Sequence, residues 1–202
     1  MHARVIVLAG PSGAGKSRLG ERTGLPVLRL DDFYKDGSDP SLPRIASGSN
    51  SGLVDWDHPD SWLADDALDT IELLCTTGRA SVPVYDIAHD GRTGVHPVEL
   101  DSHRLFVAEG LFAQEIVAAC ADRGLLAAAL CVRQHPLITF WRRLTRDLRE
   151  RRKPPLVLVR RGLVLLRDQR RVVARAVSLG CRAVTPDQAY ETIARLQVEA
   201  HS

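Results

Sequence analysis

Residues 10–17 read GPSGAGKS and match the phosphate-binding pattern G-x-x-x-x-G-K-[ST] at every fixed position. The preceding residues, 5–9 (VIVLA), are apolar and mostly β-branched, as expected of a buried parallel strand. The residues from Lys16 to Arg22 can begin a helix. A strand, a glycine-rich loop and a helix start in this order favour bound phosphate, because backbone N–H groups and the positive helix end converge there. The alternative is a glycine-rich turn that binds nothing.

We therefore expect this loop to hold the phosphates of ATP. Lys16 would reach the β- and γ-phosphates, and the Ser17 hydroxyl would bind Mg²⁺. The predicted ATP-binding residues of the loop are Gly10, Pro11, Ser12, Gly13, Ala14, Gly15, Lys16 and Ser17.

The bulk composition is that of one ordinary globular domain. The chain has 202 residues, of which 45% are hydrophobic and 26% are charged. A net charge of +2 is too small to imply binding to nucleic acid or membranes by itself. No apolar run is long enough to span a bilayer. We expect a single domain over residues 1–202, with no membrane or nucleic-acid partner; the sequence leaves its oligomeric state open.

The four cysteines are Cys75, Cys120, Cys131 and Cys181, and none lie close together in the sequence. They form no metal-binding or redox motif, so we expect small buried hydrophobic side chains in a reducing compartment. The first apolar run is only five residues long and leads directly into the phosphate loop, which predicts no signal peptide. We expect a cytoplasmic protein.

Predicted strands and helices alternate along most of the chain. Strands are expected at residues 4–9, 26–30, 80–85, 105–108 and 126–132, with a possible short strand at 181–184. Helices are expected at residues 15–23, 61–76, 111–123, 156–177 and 186–198, and residues 36–51 are expected to form a long loop. This alternation predicts an α/β fold of the P-loop NTPase type, with a parallel sheet of about five strands flanked by helices.

Two carboxylate positions follow predicted strands, where ligands bind in such folds. Asp31 and Asp32 come after the strand at 26–30 and could accept a proton or hold a metal-bound water, or could simply cap a turn. Glu109 follows the strand at 105–108 and suits a Mg²⁺-associated carboxylate. Gly110 beside it permits close approach of another backbone.

An arginine-rich segment follows the last long strand. Nine basic residues lie between positions 142 and 161, and Arg142, Arg146 and Arg149 share one face of the predicted helix. A solvated face or a nucleic-acid surface would explain such a run. With the phosphate loop present, we favour a helical lid over ATP at about residues 138–161.

Several separate strings together resemble the uridine/cytidine kinases of the phosphoribulokinase/uridine kinase group. Besides the phosphate loop, they are DDFY at 31–34, DWDHPD at 55–60, VPVYD at 82–86, EG at 109–110 and RRLTRD at 142–147. They occur in the family's order over most of residues 4–153. The D-x-F-Y, D-H-P-D and P-x-Y-D strings make the resemblance far more specific than the loop alone.

The resemblance implies a role for each matching residue. Asp31 would be the general base for the 5′-hydroxyl of a nucleoside, with Lys16 and Arg146 as its catalytic partners, and Glu109 would join Ser17 at Mg²⁺. The implied substrate-binding residues are Tyr34, Trp56, Asp57, Tyr85, His89 and Arg143. Arg143 and Arg151 would also contact ATP. His89 lies one position before the family's histidine. The resemblance therefore supports the kinase chemistry more strongly than it supports the identity of the acceptor.

Two side chains near these strings have structural interpretations. We expect Trp62 to pack in the core and His58 to make a local hydrogen bond at a turn beside Pro59.

The sequence thus predicts an enzyme that transfers the γ-phosphoryl group of ATP, with Mg²⁺, to a primary hydroxyl of a small molecule. A nucleoside 5′-hydroxyl is the favoured acceptor, and nicotinamide riboside or pantothenate are alternatives. A non-kinase NTP-binding regulatory protein and a nucleic-acid-binding ATPase are the rivals from other classes. Asp31 and Asp57 discriminate between them, since a regulatory switch needs neither a hydroxyl base nor a group that holds a ribose diol.

Overall fold

A computed structural model describes residues 3–48, 50–133 and 170–201 of the chain. Its central element is a five-stranded parallel sheet built from β1 (Arg4–Ala9), β2 (Val27–Arg29), β5 (Leu105–Glu109), β6 (Leu126–Val132) and β7 (Arg182–Val184). The strand order across the sheet is β2-β5-β1-β6-β7. The predicted fold class is confirmed, and the phosphate loop follows the middle strand.

Alternate residues of β1 point to opposite faces of the sheet. Val5, Val7 and Ala9 belong to one buried cluster, whereas Ile6 and Leu8 belong to the other. All five side chains are fully buried, as expected of a parallel strand covered on both faces.

Helices cover both faces of this sheet. Helix α1 (Lys16–Thr23) and helix α4 (Pro186–His201) pack together and contribute to one buried cluster. Helices α2 (Ala64–Thr77) and α3 (Val117–Asp122) contribute to the other, together with helical residues 170–178. The predicted helix at 186–198 is confirmed and extends to His201.

The prediction that residues 80–85 join the alternating parallel sheet was wrong. They form β3 (Arg79–Asp86), which pairs antiparallel with β4 (Gly91–Glu99) in a separate two-stranded hairpin. Pro83 and Pro97 lack the N–H that an interior strand would need, and such a ribbon with unpaired edges tolerates them. The short strand at 182–184 supplies the fifth position of the main sheet.

Two predicted helices begin later than expected. A 3₁₀ turn over Pro59–Ser61 precedes α2, since Pro59 opens a short turn capped by His58. The segment at 111–123 consists of a 3₁₀ helix (Ala113–Ile116) followed by α3. The lid predicted at 138–161, and the part of the predicted helix before residue 170, lie outside the described residues.

The described part of segment 36–51 contains turns and an isolated bridge between Arg44 and Val54, in agreement with a long loop. All four cysteines are buried free thiols, as expected. Burial raises the pKa of Cys75 and of Cys181 to about 12, so these thiols are unreactive at neutral pH. Within the described ranges, no helix is long and apolar enough to cross a bilayer.

Candidate active site

The phosphate loop packs tightly against the neighbouring strand β6. Gly10 adopts a φ of 133°, and a Cβ at this position would collide with the carbonyl oxygen of Val132. Gly15 adopts a φ of 95° as the residue before α1. Both conformations belong to the left-handed region that glycine adopts readily. The path of the loop from β1 into α1 therefore requires glycine at both positions.

Lys16 is folded back over this loop. It is 9% exposed, and its Nζ donates to the carbonyl oxygen of Gly10 at 2.8 Å. A buried ammonium in the first turn of a helix, where the helix dipole is positive, creates a strongly electropositive position.

Ser17 and Glu109 meet beside the loop. The Ser17 hydroxyl donates to Oε1 of Glu109 at 2.8 Å, and Glu109 is 8% exposed at the end of β5. Because β5 lies between β1 and β2, this carboxylate is adjacent to both the phosphate loop and the turn after β2. A hydroxyl and a carboxylate oxygen are donors that suit Mg²⁺, which is commonly held by few protein ligands together with substrate phosphates. These residues therefore fit the ion.

The described residues contain no group of three or more histidine, cysteine or acidic side chains that could hold a metal alone. Ser17 and Glu109 would need phosphate oxygens and water to complete the shell of a Mg²⁺ ion.

The two adjacent aspartates after β2 have different environments. Asp31 is exposed, and its Oδ1 accepts the backbone N–H of Leu111 at 2.8 Å. Asp32 is 4% exposed, and its Oδ1 accepts the backbone N–H of Tyr85 at 3.3 Å. Burial raises the pKa of Asp32, which the nearby guanidinium of Arg29 partly offsets. Asp31 thus has access to solvent at the sheet edge, whereas Asp32 is a buried contact to the hairpin.

Gly110 explains how Asp31 comes so close to β5. A Cβ at Gly110 would lie 2.8 Å from Cβ of Leu30 and 2.9 Å from Oδ1 of Asp31. The absence of a side chain therefore allows the turn after β2 to pack beside Glu109.

A cluster of aromatic rings lies beside these carboxylates. The Tyr34 ring centroid is 5.9 Å from that of Trp56, 5.6 Å from that of Tyr85 and 5.9 Å from that of Phe112. Trp56 and Tyr85 are 6.3 Å apart. Burial raises the pKa of the Tyr34 hydroxyl, and the negative charges of Asp31 and Asp57 add to this shift. The fold thus brings together the aromatic residues of three separate strings, close to Asp31 and Asp57.

The D-W-D-H-P-D string forms a compact turn. His58 caps it by accepting the backbone N–H of Asp60 through Nδ1 at 3.2 Å, in agreement with its predicted local role. Trp62 is 4% exposed in the core, as predicted, and its Nε1 donates to the carbonyl of Leu30 at 2.7 Å. Asp57 itself is exposed beside Trp56.

Among the predicted site residues that the structure describes, His89 makes its side-chain hydrogen bond within its own turn rather than to this cluster. His89 lies in the hairpin turn, where its Nδ1 is 2.7 Å from Oδ2 of Asp86 and its side chain is 71% exposed. Arg143, Arg146 and Arg151 lie outside the described residues, and their roles stay predictions.

Sequence reasoning missed Phe112 and strand β4. Phe112 is 5% exposed and contacts the rings of both Tyr34 and Trp62. The dipeptide Asp90-Gly91, between two runs of strand-forming residues, was the available signal for the hairpin.

No family model matches the chain. A uridine kinase from Leuconostoc citreum is 31% identical over 158 residues, which cover 73% of this chain and 70% of that protein. An inorganic pyrophosphatase from Arabidopsis thaliana, TTM1, is 31% identical over 114 residues. That match covers 54% of this chain but only 16% of the length of TTM1.

Among solved structures, a protein described as a fructose transport system kinase from Silicibacter sp. TM1040 superposes with a TM-score of 0.61 at 18% identity. The superposition covers 92% of this chain and 88% of that one, and it supports the P-loop kinase fold. On the extent and identity of its match to the Leuconostoc protein, the chain belongs to the uridine kinase family of P-loop kinases.

Proposed function

We propose that this protein transfers the γ-phosphoryl group of ATP to the 5′-hydroxyl of a nucleoside. The observation that carries the proposal is the convergence of the phosphate loop, the exposed carboxylate of Asp31 and the aromatic cluster at one edge of the sheet. Phosphoryl transfer requires a phosphate cradle, a base for the attacking hydroxyl and a pocket that orients the acceptor.

Asp31 is the proposed general base. It accepts the proton of the acceptor hydroxyl, whose oxygen bonds to the γ-phosphorus while the bond to the bridging oxygen of ADP breaks. Lys16 stabilises the negative charge on the phosphate oxygens, and the loop amides hold the β-phosphate. Ser17 and Glu109 would hold Mg²⁺, which supplies charge neutralisation at the phosphates when bound.

The aromatic cluster is the proposed acceptor pocket. Trp56 and Tyr85 offer ring surface on which a base can stack, and the carboxylate of Asp57 can accept hydrogen bonds from a ribose diol. Arg143, Arg146 and Arg151 are proposed to contact ATP and substrate, with Arg146 acting on the transferred phosphoryl group.

An ADP-release screen with a no-acceptor control tests this function. Nucleosides, nicotinamide riboside and pantothenate are compared at equal concentration with ATP and Mg²⁺. We expect nucleosides to raise ADP release far above the control. Stimulation by pantothenate alone would support the kinase chemistry but contradict a nucleoside as the acceptor. Equal ADP release with every acceptor and with none would favour an NTP-binding regulatory protein.

Substitution of Gly110 by alanine tests the placement of the proposed base. The new Cβ would lie 2.9 Å from Oδ1 of Asp31, so the carboxylate must move by a few tenths of an ångström or more. We expect kcat for the acceptor to fall at least about tenfold, because misplacement of a catalytic group is costly. The KM for ATP should change little. A wild-type kcat in a folded Gly110→Ala protein would contradict the proposed base position.

A further inference from the structure

The turn that carries Asp31 continues into a segment that is tied to the tip of the hairpin. We call residues 31–37 the strap and residues 85–92 the hairpin tip. Two side chains of the strap accept backbone N–H groups of the tip: Oδ1 of Asp32 accepts from Tyr85 at 3.3 Å, and Oδ1 of Asp36 accepts from Arg92 at 2.7 Å. A third bond runs from the N–H of Gly37 to the carbonyl of Asp90 at 2.6 Å.

The two amides held in this way belong to facing residues of the hairpin. Tyr85 and Arg92 are cross-strand partners, and the register shifts immediately before them, between Val84 and Tyr85. Such a bulge locally disrupts the ladder and re-aims the side chains beyond it. The carboxylates of Asp32 and Asp36 therefore bind one residue on each strand of the hairpin, at the point where the regular pairing of the two strands is interrupted.

Glycine makes the contact possible on both sides. A Cβ at Gly37 would lie 2.9 Å from Cβ of Asp90, and a Cβ at Gly91 would lie 2.9 Å from Oδ1 of Asp36. Asp90 adopts a φ of 46°, in the left-handed region. The backbones of the strap and the hairpin tip thus approach closely, and the absence of a side chain at Gly37 and Gly91 leaves room for this approach.

Tyr85 connects the hairpin tip to the aromatic cluster, since its ring contacts those of Tyr34 and Trp56. Displacement of the tip would therefore move one wall of the acceptor pocket. We expect the phosphate loop to be unaffected, because its contacts include Glu109, Val132 and the buried cluster around α1, and none of these residues belongs to the strap or the hairpin tip.

We propose that Asp32 and Asp36 are positioning residues that hold the hairpin tip against the base-bearing turn and thereby set the affinity for the acceptor. The proposal rests on the proposed function, in which the aromatic cluster receives the acceptor. Neither residue lies at the positions to which the resemblance assigns a role. Asp36 is the better residue to test, because it is exposed and its substitution leaves the core intact.

The test compares Asp36→Ala and Asp36→Asn with Asp39→Ala. Asp39 lies just beyond the strap, and its carboxylate accepts hydrogen bonds from Ser41. Asp39→Ala is therefore the matched control, because it removes a nearby carboxylate whose hydrogen bonds are made to Ser41 and not to the hairpin tip. We expect Asp36→Ala to raise the KM for uridine or cytidine about tenfold, in line with loss of one charge-assisted hydrogen bond. The KM for ATP should stay at its wild-type value. Asn can still accept from Arg92, so Asp36→Asn should restore most of the acceptor affinity.

An unchanged acceptor KM in Asp36→Ala, or an equal rise in the KM for ATP, would overturn the proposal. Amide hydrogen exchange gives a readout that does not depend on the reaction. We expect the Arg92 amide to exchange about tenfold faster in Asp36→Ala than in the wild type, with Asp39→Ala unchanged. If the wild type phosphorylates no nucleoside, the proposed function fails, whereas unchanged exchange at Arg92 refutes the strap itself.

Discussion

Lys16→Ala is expected to lower turnover by a factor of about 10² to 10³, the usual cost of removing one preorganised charge-stabilising donor. Lys16 is buried at the start of α1, and its Nζ donates to the carbonyl of Gly10. In the proposed reaction, the same ammonium offsets charge on the β- and γ-phosphates. The measurement is steady-state kcat with saturating ATP and acceptor.

A thermal unfolding curve is the control for this variant, because loss of the ammonium should spare the sheet and both buried clusters. A folded Lys16→Ala protein with near wild-type turnover would refute the role of the loop in catalysis.

Asp31→Asn is expected to reduce kcat about 10³-fold, within the usual range for general acid–base catalysis. The amide keeps the shape and can still accept from the N–H of Leu111, but it cannot take a proton at neutral pH. Binding of ATP should survive. Asp32→Asn is the matched control in the adjacent position, and its amide oxygen can still accept from Tyr85, so we expect less than about a tenfold loss of kcat. The reverse result, with Asp32→Asn crippled and Asp31→Asn active, would exchange the roles of the two residues.

The difference in stability between the wild type and Asp32→Asn should depend on pH. Burial raises the pKa of Asp32 above its unfolded value, although Arg29, the hydrogen bond from the Tyr85 N–H and His96 partly counter this effect. The folded protein therefore binds this proton more tightly, and its stability rises as the pH falls through the folded pKa. We expect the thermal unfolding midpoint of the wild type, measured relative to that of Asp32→Asn, to rise as the pH is lowered from 7 into the acidic range. A difference that does not depend on pH would contradict the raised pKa.

The phosphate loop and its strand could be predicted because their sequence is constrained by direct contacts. Gly10 must admit the Val132 carbonyl, and alternating burial on two covered faces makes β1 a continuous apolar run. Glu109 could be predicted from its place at the end of such a run. The pairing of Ser17 with Glu109 was implied by the family resemblance, and the two side chains do meet.

The hairpin could not be predicted in the same way. Strand β4 is mostly exposed and contains Gly94 and Pro97, so it carries no apolar periodicity. The distinction between Asp31 and Asp32 depends on burial against Tyr85, more than 50 residues along the chain, which local sequence does not encode. The strap contact by Asp36 likewise depends on the close approach of two glycines distant in sequence.

The central claim is acceptor-dependent transfer to a 5′-hydroxyl, and product analysis tests it most directly. Each nucleoside that stimulates ADP release is compared with its 5′-deoxy analogue, which keeps the base and the ribose diol but lacks the attacking oxygen. We expect one equivalent of nucleoside 5′-monophosphate for each ADP formed, and no stimulation by the 5′-deoxy analogue, which should act as a competitive inhibitor towards the acceptor. ADP release that is the same with the nucleoside, with its 5′-deoxy analogue and with neither would contradict the account.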